Sequence, residues 1–501
     1  MGEVDGASTP CAFEPDTSLM NPLNQRLSAL LLVGITFALA ETRGAPAETE
    51  TASWSQFRGP NAAGVAPSAK PPIEIGPGSN VLWEIDVPWA PSSPSIWGDH
   101  LFLTTYDGGK LETRAYRRKD GELLWKRGVE VKELEVFHRS DGSPAGSTVA
   151  TDGQHVVSYF GSFGLICYDF DGEELWRHPM PVALSAGSFG TGTSPIIAGK
   201  AVVLQRDQRK NSKLIALDVA TGKPLWESPR PDASGSFGAP IVWENNGVDE
   251  LVVAGSTKLK GYALDSGKQR WVVQGLSTLS CTTPVLGQGQ LYYAAWCPGG
   301  ADRPWGKWSD FRGSHDSDSD GQVALAELSE DSRDFFRGLD LDDDGTITEK
   351  DWEMLEEVAA QGENMLVAVG PGGEGDVTDS HVAWSYTKGL PYVPSPLYYK
   401  GRIYLVRDGG ILTSIDAESG DPIYSRERLP AGGSYYASPV AADDRIYLAS
   451  LPGKLTVIKA GGDTPEVLHE ADFGERIFAT PALVGDKLYL RTKSKLYAFG
   501  K

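Results

Sequence analysis

The sequence predicts an all-β protein, an eight-bladed β-propeller, interrupted by a small α-helical insert. Three observations carry the prediction. A small residue followed by Pro recurs at the spacing of a four-stranded blade, a strand–turn–strand signature ending in Trp follows it, and the two ends of the chain hold the halves of one split blade.

The small-residue–Pro pairs are Ser93-Pro94, Ser194-Pro195, Ala239-Pro240, Thr283-Pro284, Ser395-Pro396, Ser438-Pro439 and Thr480-Pro481. Ser147-Thr148 supplies an eighth copy without the Pro, and most copies lie 42 to 47 residues apart. After each comes an apolar pair, a turn and a β-rich strand, as in Ile196-Ile197-Ala198-Gly199-Lys200-Ala201-Val202-Val203-Leu204. Val, Ile and Tyr bracketed by Gly or Asp turns make hairpins.

The second signature is clearest at Ala216-Leu217-Asp218-Val219-Ala220-Thr221-Gly222-Lys223-Pro224-Leu225-Trp226, with variants ending at Trp125, Trp176, Trp271, Trp384 and Tyr424. The Asp carboxylate can bond the turn backbone and the Gly can take a positive φ. The aromatic ring is large enough to fill the wedge between neighbouring blades. These residues are architectural and say little about chemistry.

The chain finishes at Lys495-Leu496-Tyr497-Ala498-Phe499, one strand short of a blade, while Val81-Leu82-Trp83-Glu84-Ile85 is an outer strand with no blade before it. Pairing the two closes the ring and removes the open edge, which a linear solenoid would not require.

Composition bounds the function. The chain has 501 residues, 40% hydrophobic, with 14 Trp and 18 Tyr, enough for a large core and against general disorder. A net charge of -21 repels phosphates and anionic lipid, so nucleic-acid binding is disfavoured. Residues 27–40, following Arg26 and ending Ala38-Leu39-Ala40, have the basic flank, short apolar run and small-x-small end of a signal peptide. The run is too short for an ordinary membrane span. The expected location is therefore periplasmic or extracellular, with no transmembrane segment in the mature chain. Residues 1–19 are polar and acidic, which points to Met20 as the true start, and no Cys follows the apolar run to suggest a lipid anchor. Of four cysteines, Cys11 lies in the leader; Cys281 and Cys297 flank one predicted hairpin, and either a bulge joins them as a disulfide or they stay buried thiols.

From Pro284 to Pro396 there are 112 residues, far more than a blade needs, and the excess is rich in Asp, Ser and Glu. It contains two twelve-residue loops. The first runs from Asp316 to Glu327, with Asp316, Asp318, Asp320 and Glu327 offering carboxylates, Gln322 a backbone carbonyl, and Gly321 the sharp turn. The second runs from Asp340 to Asp351, with Asp340, Asp342, Asp344 and Asp351 as carboxylates and Thr346 as carbonyl donor. A calcium ion takes six to eight hard oxygens, and this spacing wraps them around one centre. The shorter Asp351 at the last position suits one-oxygen binding. Helices are expected over 326–338 and 348–360, with Val323 and Ile347 pairing between the loops. The pair resembles EF-hands, with spacing nearer the compact dockerin type. Two Ca²⁺ sites are expected, structural rather than switching, because extracellular calcium keeps weak sites filled.

The organisation expected is a leader over 1–40, an N-terminal extension over 41–80, blades with the closing strand over 81–298, the insert over 299–365, and the remaining blades over 366–501.

The Ala-x-Asp-x-x-Thr-Gly-x-x-x-Trp string resembles the tryptophan-docking repeat of the pyrroloquinoline-quinone (PQQ) propeller superfamily, whose non-enzymatic members include the BamB-like proteins. Trp54-Ser55-Gln56-Phe57-Arg58-Gly59-Pro60-Asn61 is similar to the opening of secreted bacterial PQQ-repeat proteins. The resemblance, from about Trp54 to the C-terminus, implies the quinoprotein alcohol dehydrogenase-like propeller. It leaves three functions open: a non-catalytic scaffold binding a protein, peptide or glycan; a PQQ-dependent dehydrogenase; or a BamB-like envelope assembly factor. The dehydrogenases of the superfamily commonly carry adjacent cysteines beside the cofactor, and this sequence has none, so PQQ is disfavoured and the scaffold preferred. No catalytic residue is assigned. There is no His-Glu-x-x-His or Gly-x-Ser-x-Gly motif, and the seven His are scattered, His138 and His155 being the pair that could meet on a propeller face. The loops Gly187-Ser188-Phe189-Gly190-Thr191-Gly192 and Gly432-Gly433-Ser434-Tyr435-Tyr436 read as ordinary blade connections, with the mouth of the central channel as the alternative.

Overall fold

The structure is a computed structural model, and it describes residues 53–138, 140–297, 306–329, 332–333, 336–341 and 344–501. The described residues fall in the contact unit Thr51–Lys501. The leader, Met20, the signal-peptide run and Cys11 all lie outside the described residues.

Eight four-stranded antiparallel blades form the propeller. Blade 1 is built from Ser95–Trp97, His100–Asp107, Lys110–Arg117 and Leu123–Val129, and blade 3 from Ile196–Ala198, Ala201–Arg206, Lys213–Asp218 and Pro224–Pro229. Blades 2, 4, 6 and 7 follow the same inner-to-outer order, with inner strands Ala150–Thr151, Ile241–Asn245, Leu397–Tyr399 and Val440–Ala442. Blade 5 is assembled from Val285–Gly287, Gln290–Ala295, Met365–Val369 and Val382–Tyr386, so the insert leaves between its second and third strands. Blade 8 takes three strands from the C-terminus and its outer strand, Val81–Asp86, from the start, with Val81 opposite Phe499 and Glu84 opposite Tyr497. The predicted ring closure is therefore present.

Outer strands alternate exposed and inward residues, as half-covered strands do: Trp125 and Trp176 point in and Leu124 and Leu175 point out. Each inward Trp docks on the Asp-to-Gly turn of the following blade. Trp125 Nε1 donates to Phe170 O at 2.8 Å, Trp176 Nε1 to Val219 O at 2.7 Å, and Trp226 Nε1 to Leu264 O at 3.0 Å. Trp83 crosses the closure in the same way, to Arg118 O at 3.0 Å. The turn is pre-shaped to receive the ring. Asp218 Oδ1 accepts from Thr221 N and Oγ1 at 2.9 and 2.7 Å, and Gly222 has φ +68°. A Cβ on Gly222 would lie 2.6 Å from the Trp176 ring, so Gly is needed for close approach as well as for its backbone.

Blade 4 departs from the pattern. Trp271 Nε1 donates to Glu250 of its own blade at 2.6 Å. The matching turn of blade 5 is enlarged and sends Gly375–Asp376 back as a parallel fifth strand beside Trp271 and Val272.

The N-terminal segment is part of the ring. Ser53–Trp54 pairs with Ile96 and Trp97 in blade 1, and Thr151 N of blade 2 donates to Ser55 O at 2.8 Å. Asn61 exchanges two bonds with Val242 of blade 4, at 2.7 and 2.8 Å. Arg58 reaches Pro396 O of blade 6 at 2.8 Å, and Gly64 O accepts from Ala441 N of blade 7 at 2.8 Å. A segment that touches blades on opposite sides of a ring must cross its axis, so it plugs one end of the channel.

In the insert, Val323 pairs with Ile347 as expected, and a helix covers Glu349–Ala360. The first expected helix is shorter than the sequence suggested. Residues 325–327 form a turn, and helical geometry among the described residues starts at 332 and ends in Arg337–Leu339. The reason is Glu327: its carboxylate is drawn back to Ala324 N at 2.8 Å and Ser317 N at 2.8 Å, which folds the chain onto the loop. An entering helix, Trp308–His315, was not anticipated. Its Trp308 and Phe311 pack with Val323, Leu328, Ile347 and Trp352 as a separate small core.

Candidate functional site

Two places gather functional groups. In the first acidic loop, Asp316, Asp318 and Asp320 each offer an oxygen, all within 4.8 Å of one another. The backbone shapes this convergence. Gly321, at φ +93°, donates to Asp316 Oδ2 at 3.1 Å, and Gln322 N donates to Asp320 Oδ1 at 2.9 Å. Asp316 Oδ1 is buried without a hydrogen-bond partner, as a lone pair reserved for a cation would be. Glu327 stands outside the cluster of three. Both its oxygens accept N–H groups of the loop, and its carboxyl is held below the usual range, first by the Ser317 hydroxyl.

The second loop repeats the scaffold. Asp340, buried, accepts from Asp344 N at 3.1 Å and Gly345 N at 3.0 Å. Thr346 N donates to Asp344 Oδ1 at 2.8 Å. Asp351, also buried, accepts from Leu341 N at 3.2 Å and closes a capping box with Thr348 at the start of the last helix. Asp342 lies outside the described residues. Thus Asp351, the departure from Glu, serves the helix N-terminus as well as the loop.

The second place is the open end of the channel. A cavity of about 210 Å³ is floored by Phe57 and by Ser93, Thr148, Ser194, Ser438 and Thr480 from the repeat, and walled by Phe189, Phe237, Tyr392, Tyr436 and Phe478. The expectation that the loops at 187–192 and 432–436 are plain connections is corrected here: Phe189 through Gly192 and Tyr436 line the mouth. Sequence spacing could not show this, because Gly-rich connections carry the same composition whether they lean inward or outward. Phe57, Tyr392 and Phe478 were missed altogether; the opening Trp-Ser-Gln-Phe-Arg-Gly string held the signal for the first.

The rim is cross-braced. Arg476 Nη2 pairs with Asp141 Oδ1 at 2.6 Å and its guanidinium lies 4.5 Å from the Phe478 centroid, where Trp89 also packs at 4.5 Å. Burial pushes Tyr436 up to about 12 and the Cys281 thiol up to about 12, so both stay protonated at neutral pH. Cys281 lines the cavity, and it and Cys297 are free thiols, so the disulfide alternative is not realised. His138 and His155 do not form a site: His155 Nδ1 meets Asp152 at 2.9 Å, while His138 packs on Phe189.

The insert leans on this mouth. Arg209 Nη2 of blade 3 donates to Asp340 O at 2.6 Å, and Gly338 lies against Gly187, in the loop that carries Phe189. Trp296, where the insert departs, packs edge-on against Tyr392 at 5.7 Å.

Among solved structures, the chain resembles BamB from Moraxella catarrhalis, with TM-score 0.53 and 11% identity over 83% of this chain and 96% of that one. It also resembles the quinohemoprotein alcohol dehydrogenase from Comamonas testosteroni, with TM-score 0.52 and 10% identity over 89% of this chain and 80% of that one. A europium-containing methanol dehydrogenase gives TM-score 0.52 and 11% identity over 90% of this chain and 98% of that one. At such identities the likeness speaks for the fold alone. No curated protein matches at the level of sequence. The family model described as outer membrane protein assembly factor BamB, a PQQ-type propeller family, matches residues 109–279 and 336–500, which together make up well over half of the chain, and to that family the chain belongs.

Proposed function

We propose that this propeller is a non-catalytic, calcium-stapled binding scaffold of the cell envelope, and that its channel mouth takes a side chain of a protein or peptide ligand. The observation that carries the reading is the mouth itself: an aromatic wall over a neutral hydroxyl floor, with the single lining carboxylate, Asp141, already paired to Arg476. At about 210 Å³ the cavity is smaller than the roughly 300–1,000 Å³ of drug-sized sites, a size for one apolar side chain rather than a cofactor. Of the peptide and glycan alternatives, this apolar lining favours the peptide.

The same lining argues against the dehydrogenase reading. PQQ carries three carboxylates and calls for cations, whereas the cavity lining includes no Lys or Arg. The residues present do not fit it, and no step through it is derived. The BamB-like assembly role gains support from the family match and is the second reading. The apolar run at 27–40 supports export to the periplasm or the extracellular space; among the described residues no helix is long and apolar enough to cross a membrane.

For the metal, we propose that Asp316, Asp318, Asp320, the Gln322 carbonyl and Glu327 hold one Ca²⁺, and Asp340, Asp342, Asp344, the Thr346 carbonyl and Asp351 a second. The buried, unpartnered Asp316 Oδ1 and the preformed loop backbone support this. Bound calcium would offset the mutual repulsion of the clustered carboxylates and tie the small core of the insert to the loops. Calorimetric titration of chelator-treated protein with calcium, then with PQQ, tests both points. Two calcium equivalents and no PQQ heat support the scaffold; saturable PQQ binding overturns it; no calcium uptake removes the metal sites.

A further inference from the structure

Among the described residues three arginines are completely buried, and their surroundings differ. Arg230 is neutralised by Asp207, with contacts at 2.7 and 2.9 Å, and also donates to Tyr262 Oη. Arg491 has no acid and leaves its Nε without an acceptor, but its other nitrogens donate to Ser92 O, Ser92 Oγ, Thr104 O and Pro88 O. Arg58 has neither. Its one hydrogen bond goes from Nη2 to Pro396 O, while Nε and Nη1 are buried without an acceptor. Burial alone pulls it down to about 9, with no neighbouring carboxylate acting on it. Even so, it remains charged at neutral pH. A guanidinium has five N–H donors, and a buried charge left unpaired is among the costliest features a fold can hold.

The second observation is the floor of the channel. Ser93 N donates to Thr148 Oγ1, Thr148 N to Ser194 Oγ, Ala239 N to Thr283 Oγ1, and so on through Ser395, Ser438 and Thr480 back to Ser93, each at 3.0 Å. Every one of these hydroxyls accepts from a neighbouring blade, and among the described residues none is seen to donate its own proton. Seven O–H donors are thus left around one axis, five of them lining the channel cavity. Arg58 enters at the same level: Phe57 beside it is part of that floor, and Pro396, whose carbonyl it touches, follows the ring residue Ser395.

Donors without acceptors thus lie on the ring and on a buried cation that bonds the carbonyl one residue past ring residue Ser395. We infer that a compact inorganic anion, of the chloride or phosphate class, sits on the propeller axis between Arg58 and the hydroxyl ring. It supplies the counter-charge that the protein does not, and so pins the N-terminal plug into the channel. Gly64 belongs to the same arrangement, because a Cβ there would come within 2.7 Å of Arg58 Nη2. The site shares five of its hydroxyls with the floor of the mouth and involves none of the calcium loops.

The test is thermal unfolding of the full chain at constant ionic strength, with chloride, bromide or phosphate exchanged against gluconate, a bulky anion. A ligand that binds only the folded state raises Tm with its concentration in a saturable way. The expected result is such a rise for one of the small anions, a larger transition midpoint concentration in Ser438→Ala, and no anion dependence in Arg58→Met. Should Arg58→Met fail to fold, crystals of the unaltered protein soaked in bromide decide the matter: an anomalous peak beside Arg58 supports the site. A Tm indifferent to anion identity, or water alone beside Arg58, overturns it.

Discussion

Thr480 N donates to Ser93 Oγ at 3.0 Å, across 387 residues of sequence, and this one contact joins the last blade to the first in a series of hydroxyl–amide bonds around the channel. The same bond joins every neighbouring pair of blades except one. Position 239 is Ala, so blade 4 offers no hydroxyl to Ser194 N. The small residue before each Pro is thus selected for a reason beyond size: it carries the oxygen that stitches one blade to the next.

Replacing Ser93 by Ala removes the acceptor at the closure and leaves a buried N–H unpaired. The expected loss is about 1–3 kcal/mol, read from urea unfolding. Ala239→Ser supplies the missing link and is expected to stabilise by about 0.5–1.5 kcal/mol. A destabilised Ala239→Ser protein would show that the ring has no room for an eighth hydroxyl.

Gly222→Ala places a Cβ against Trp176 at a backbone with φ +68°. Both strain and clash act in the same direction, and a loss of more than about 1 kcal/mol is expected in the same unfolding assay. Gly247, also at positive φ but facing open space, is the control: Gly247→Ala meets only the backbone strain and should cost less.

Glu135 is buried beside the mouth, where it accepts from Thr191 Oγ1 at 2.5 Å. Burial raises its carboxyl from 4.5 to about 8, although the nearby Arg206 opposes the shift. The folded protein therefore prefers the protonated acid. Its contribution to stability is full below about 4.5, declines as pH rises through the window to about 8, and is level above. The slope approaches about 1.4 kcal/mol per pH unit for a single group. Glu135→Gln keeps the shape and cannot ionise, so its Tm between these pH values should fall less steeply than that of the unaltered protein. Parallel curves would mean that Glu135 is ionised in the fold.

Calcium removal should loosen the insert and leave the blades intact. Hydrogen exchange with and without chelator is expected to speed up over 316–360, and more weakly over 186–192, because Arg209 bonds the second loop and Gly187 rests against Gly338 just before it. Asp316→Asn should weaken one of two calcium sites about tenfold or more in a calorimetric titration, leaving the other unchanged. Equal loss at both would mean that the paired strands at Val323 and Ile347 couple them.

Much of the fold was legible because it repeats. The period, the aromatic on most outer strands and the split blade are local or quasi-local signals, and they named the architecture down to the pairing of the first full strand with the last. The turn of the first acidic loop was legible for a similar reason: the carboxylates at Asp316, Asp318 and Asp320 around Gly321 are written in nearly consecutive residues. The helix after the first loop was misjudged because an acid at 327 reads as a helix former, while in the fold it bonds backwards to Ser317 and Ala324.

Sequence by itself determined the blade count, the closing strand and the candidate metal ligands, since each rests on spacing along the chain. Only the tertiary structure decided what meets at the axis. Phe57 and Arg58 from the plug, Phe189 from blade 3 and Phe478 near the C-terminus come together because a closed ring brings distant segments to one centre. No periodicity marks those positions. Whether a loop leans into the channel or lies on the rim is set by packing between blades, and so is whether a buried Arg finds an acid, as Arg230 does, or a lone carbonyl, as Arg58 does.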